Sequence, residues 1–174
     1  MAGQTPTRTA IDSRQPKRLF LSWASRDKRL MDALIGLLRP HLKTLSRVQV
    51  EWWEMSHIQT GERFRQDILR RIDECDAAVQ LIGPEFLASD FIRDVEIPPF
   101  IGPTAVKLAL PVGLKRVPLT ASLRTTHGID EHQVFLLDGL FFSELRSAGR
   151  ERFALELADA IQRRLTGESE WRAL

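Results

Sequence analysis

The sequence predicts an α/β protein: a three-layer sandwich with a mainly parallel five-stranded sheet and helices on both faces. Three observations carry this. Short apolar runs of strand length alternate along the chain with stretches of helical period. Most Gly and Pro fall between these segments rather than within them, with Gly36, Pro40 and Pro111 as exceptions. The chain has 174 residues, 43% of them hydrophobic, which suits one domain able to bury a core.

Residues 1–16 are polar, Thr-rich and aperiodic, and read as a flexible tail, with order beginning at Lys17. Arg18 to Ser22 forms the first strand and Trp23 to Asp27 a loop, in which Ser25 or Asp27 caps the next helix. Leu30, Ala33, Leu34, Leu37 and Leu38 make its apolar stripe, and Pro40 ends or kinks it near Arg39. Val48 to Trp52 alternates as a second strand, followed by a loop from Trp53 to Gly61. Trp52 and Trp53, being adjacent, face opposite sides of the sheet. Phe64, Ile68 and Ile72 give the second helix its stripe, with Leu69 beside them. Ala77 to Ile82 is a third strand, and a short irregular helix follows the Gly83-Pro84 break and ends at Pro98-Pro99.

Val106 to Val112 is the fourth strand, and Pro111 places it near an edge. Val134 to Leu137 is the fifth. The last helix carries Phe153, Leu157, Ile161 and Leu165, with Gly167 as its C-cap. The domain spans residues 17–166, and 167–174 is a tail or the stump of a linker. This order, strands alternating with helices, is that of a flavodoxin-like sandwich.

Bulk chemistry excludes several classes of function. There are 25 basic and 23 acidic residues, for a net charge of +2. The pI near 9.0 therefore reflects a near balance, and no basic tract interleaved with aromatics points to direct nucleic-acid binding. Cys75 is the single cysteine and reads as a buried structural thiol; the histidines show no ligand spacing, so no metal site is expected. No apolar stretch reaches membrane-spanning length and no secretory signal is visible, so a cytoplasmic protein without membrane contact is expected. No G-x-G-x-x-G, Walker or G-x-S-x-G pattern is present.

The segment from Phe86 to Pro99 concentrates the chemistry. It places Asp90, Asp94 and Glu96 just past the end of a strand, where α/β sheets bind ligands. A solvated helix face is the other reading of the same carboxylates.

Phe20 to Asp27 (FLSWASRD) resembles the opening strand and loop of a TIR (Toll/interleukin-1 receptor/resistance protein) domain of bacterial style. Trp53-Glu54, Ile58 and Gly61 to Phe64 resemble its second-strand end and BB loop. Cys75 to Ser89 resembles its third strand and the Ser-containing helix beyond. The resemblance spans roughly residues 17 to 165. It implies an NAD+ glycohydrolase with Glu96 as catalytic carboxylate, NAD+ as substrate and no cofactor. Trp23, Ala24, Ser25, Glu54 and Phe64 would line the pocket. It also implies activation by self-association, a partner or fused sensor, and a role in antiphage immunity.

The family's aromatic stands four residues before the glutamate. Here Ile92 does, and Phe91 stands five before, so either the helix is irregular or Asp94 takes the role. Phe64 is equally a member of its helix's core stripe, and simple packing of the loop is the other reading of Trp23. A non-catalytic TIR adaptor acting through TIR–TIR association is the alternative function. A nucleoside deoxyribosyltransferase or a phospho-receiver stands behind it. The receiver reading is disfavoured because Ser22 and Gly83 hold the strand ends where that chemistry needs acids.

Overall fold

A computed structural model describes residues 13–53, 62–119, 128–129 and 134–168. Its strands are β1 (Gln15–Ser22), β2 (Val48–Trp53), β3 (Ala77–Ile82) and β4 (Leu108–Gly113). All pair in parallel, in the order β2-β1-β3-β4. The helices are α1 (Lys28–Lys43), α2 (Glu62–Glu74), α3 (Pro84–Leu87) and α4 (Ser147–Leu165). The fold is thus α/β, with a four-stranded parallel sheet and helices on both faces.

Strand alternation divides the core. Leu19, Leu21, Ala77, Val79, Leu81, Leu110 and Val112 face one way and pack with α1 and α4. Phe20, Ala78, Ile82 and Ala109 face the other way and pack with Ile68 and Ile72 of α2, Phe86 of α3, and Ile92, Ile97 and Phe100 beyond it. Cys75 lies buried in this second layer, as expected of a structural thiol, and its burial pushes the thiol up to about 11.

Several expectations need correction. Order extends further toward the N-terminus than Lys17, because Gln15 and Pro16 pair with Val48 and Gln49. Pro40 does not end α1, which runs on to Lys43. A proline clashes with the carbonyl four residues back, here that of Gly36, and Leu38 and Leu42, both buried, hold the last turn on the core. The α1 stripe is centred on Met31, Leu34, Ile35, Leu38 and Leu42, with Leu30, Ala33 and Leu37 at its margin. Leu69 is 46% exposed and lies outside the α2 stripe.

Among the described residues the fifth strand is reduced to one parallel bridge between Val112 and Phe135. Phe135 donates to Pro111 O and accepts from Gly113 N–H. The carbonyl of Pro111 faces this edge, so its missing N–H removes a donor from the same edge and limits the ladder there. Gly167 does close α4: it has φ +73°, and Glu168 N–H donates to Arg163 O while Gly167 N–H donates to Arg164 O, a Schellman end.

Candidate active site

In the order β2-β1-β3-β4 the chain leaves β1 in opposite directions, so the switch point lies between β1 and β3. A cavity of about 580 Å³ opens there, beyond the carboxyl ends of those strands. Leu21, Trp23, Ala24, Ser25 and Arg26 line it from the end of β1 and its loop. Phe64 lines it from α2, and Glu85, Ala88, Ser89, Phe91, Ile92 and Glu96 line it from the segment after β3.

That segment is built in two pieces. Pro84 starts α3 without loss, since a first-turn N–H has no helical partner. The chain then breaks, and the Ser89 hydroxyl accepts from Ile92 N–H to start a second helical stretch. Residues Ile92–Glu96 form a π-helical turn, closed by Ile97 N–H donating to Ile92 O at 2.9 Å. The cause is local. Pro98 and Pro99 have no N–H to offer the carbonyls of Asp94 and Val95, and their rings crowd those carbonyls, so an α ladder cannot continue. Ile97, Phe100 and Ile101 are buried and fix where the turn ends.

The wider turn settles how Phe91 and Glu96 are placed. On an α-helix a five-residue spacing leaves two side chains well apart, since each residue rotates about 100°. In an i→i+5 turn the same spacing stacks them. Phe91 and Glu96 accordingly share the cavity. Asp94 points elsewhere: it is exposed and paired with Arg93 at 2.6 Å, and Arg93 also holds Asp90 at 2.7 Å. Asp90 and Asp94 are the solvated carboxylates of this segment, and Glu96 is the buried one.

Glu96 is 6% exposed and accepts a hydrogen bond from the Ser22 hydroxyl at the end of β1. Burial pushes its carboxyl up from 4.5 to about 7, with the Ser22 hydroxyl pulling the other way. Beside it, Phe64 and Phe91 form an aromatic wall, their centroids 5.9 Å apart and their planes tilted by 36°. Phe64 also packs on the second core layer, so its structural and lining positions coincide. Trp23 likewise lines the cavity while packing against the first layer. At the rim Arg26 lies 3.7 Å from Glu85.

Asp27 is the N-cap residue of α1 but makes no capping hydrogen bond, and Ser25 begins a short 3-10 turn without capping α1. Asp27 is instead buried in an ion pair with Lys115 beyond β4, which ties the lining loop to the sheet. Trp52 packs against the first core layer. Glu54, Ile58 and Gly61 lie outside the described residues.

The cavity therefore gathers Trp23, Ala24, Ser25, Phe64 and Glu96. Sequence reasoning did not assign Ser22 or Phe91 to the site. Period-two alternation puts Ser22 on the same face as Phe20, which was readable, but its partner 74 residues away was not. Among the described residues no group of His, Cys, Asp and Glu could hold a metal ion. No helix among them is long and apolar enough to cross a membrane. Comparison with protein-family models and with curated proteins finds no match.

Proposed function

We propose that this chain is a TIR-type NAD+ glycohydrolase in which Glu96 is the catalytic carboxylate. The observation that carries the reading is one buried carboxylate, hydrogen-bonded by Ser22, set beside an aromatic wall in the cavity at the switch point of the sheet.

The chemistry suits one carboxylate. The bond between the nicotinamide nitrogen and the ribose breaks with its electron pair going to nicotinamide, which leaves neutral and needs no general acid. Positive charge builds on the sugar, and ionised Glu96 stabilises it in a site with little water. Water then adds to the sugar and loses a proton, giving ADP-ribose; attack by the adenine of the same molecule gives a cyclised product. Bringing a cationic nicotinamide ring close favours the ionised form of Glu96. Phe64 and Phe91 offer a stacking surface for a base, and Trp23, Ala24 and Ser25 shape the opposite wall. In this reading Glu54 completes the site, self-association switches it on under a partner or fused sensor, and the setting is antiphage defence in the cytoplasm.

The alternative, a non-catalytic module acting by TIR–TIR association, assigns no work to Glu96. The carboxylate's place in the cavity counts against it. Incubation with NAD+ over a range of protein concentrations separates the two. Nicotinamide release that rises faster than linearly with protein, survives Asp94→Asn and is lost in Glu96→Gln is expected. No release at any concentration, with a clustering tag included, favours the adaptor.

A further inference from the structure

We infer that Ser22 is a positioning residue for Glu96: its hydroxyl fixes one carboxylate oxygen and leaves the other free to face the sugar. The inference rests on the catalytic reading of Glu96 given above and extends it to a residue on a different element.

Ser22 is the last residue of β1, a central strand, and is 1% exposed. Its hydroxyl donates to Glu96 Oε2. A carboxylate on a turn as irregular as Ile92–Glu96 needs an anchor outside that turn, and Ser22 supplies one from the end of a central strand. β3 presents Gln80 in register with Ser22 and on the same face. Its amide is fully buried and has no hydrogen-bond partner among the described residues. Ser22 and Gln80 thus set two buried polar side chains at adjacent positions on the sheet face that carries Phe20, Ala78 and Ile82.

Among the described residues the other charged groups near the cavity are paired with one another. Arg26 and Glu85 pair with each other at the rim, and Arg93 holds Asp90 and Asp94 on the outer surface. Asp27 is held by Lys115, and among the described side chains of α2 Phe64 lines the cavity. The protonation of Glu96 is governed by burial and by the Ser22 hydroxyl, which favours the charged form.

The test compares Ser22→Ala and Ser22→Thr in the full chain, each checked for native circular dichroism. The Glu96 carboxyl is titrated by 13C NMR, its signal assigned by its loss in Glu96→Gln. Ser22→Ala is expected to move the Glu96 midpoint upward by about one to two pH units, and Ser22→Thr, which keeps the hydroxyl, to return it toward the native value. With NAD+, Ser22→Ala should lower kcat at least about tenfold with KM changed less than about twofold. An unmoved midpoint in folded Ser22→Ala overturns the inference, as does a loss in KM alone. If Ser22→Ala does not fold, an elevated midpoint in Ser22→Val but not in the equally branched Ser22→Thr decides for the hydroxyl, and equal midpoints decide against it. A midpoint that moves in a protein releasing no nicotinamide would leave the hold of Ser22 on Glu96 standing and remove the glycohydrolase reading.

Discussion

Replacing Glu96 by Gln keeps the shape of the side chain and removes its charge, which separates the work of the carboxylate from what its burial does to the fold. Its folded-state value of about 7 lies above the ordinary 4.5. Below about pH 4.5 the group is neutral in both folded and unfolded chains. Between 4.5 and 7 the unfolded chain ionises first, so the folded state binds more protons and stability falls as pH rises. Above 7 the full difference remains, on the order of 3 kcal/mol. Glu96→Gln should therefore be more stable than the native protein at pH 8 by up to about 3 kcal/mol and nearly equal to it at pH 4.5, measured by urea unfolding. Equal stability at both pH values would mean that Glu96 is not held in a poorly solvated site. Asp94→Asn, at an exposed pair, should change stability by no more than about 0.5 kcal/mol. The sequence offered both carboxylates as candidates; what separates them is the turn that buries one and exposes the other.

That turn is the element on which the site depends. Its irregularity was foreseeable from Pro98 and Pro99, but its i→i+5 form was not, because proline forbids the α ladder without dictating what replaces it. Restoring both donors, in Pro98→Ala/Pro99→Ala, should let an α ladder extend and rotate Glu96 away from Phe91. The expected result is about a 10²-fold loss of nicotinamide release with native near-UV circular dichroism, together with new hydrogen-exchange protection at residues 98 and 99. Undiminished release alongside that protection would show that the wide turn is dispensable. Phe91→Ala removes the partner of Phe64 and should weaken NAD+ binding at least about tenfold, read by calorimetry on the Glu96→Gln protein. Pro40 shows the opposite balance at α1, where tertiary packing of Leu38 and Leu42 overrides a local breaker that sequence alone reads as a stop.

Across the whole molecule, the sheet order puts β1 and β3 at the centre and the cavity at their carboxyl ends. The four strands of the sheet were legible because each carries a short apolar run or an apolar-polar alternation, and α2 and α4 because their stripes are regular. The fifth strand was not, since a bridge at an edge depends on which donors the neighbouring strand still has, and Pro111 removes one. Long-range pairs such as Ser22 with Glu96 and Asp27 with Lys115 have no local signature at all. The second of these ties the loop after β1 to the end of β4. Lys115→Ala should cost about 2 kcal/mol in urea unfolding, less than for a fully buried pair because Lys115 is partly exposed. An unchanged midpoint would mean that the loop is held by packing alone.

The central claim is that Glu96, ionised in this cavity, drives cleavage of NAD+. The pH dependence of kcat/KM for nicotinamide release tests it most directly, because that profile reports the essential groups of the free enzyme. The account predicts a rising limb with its midpoint near 7, the value set by the burial of Glu96 against its bond from Ser22. A flat profile between pH 5 and 8, or a midpoint near the ordinary carboxylate value, would contradict it.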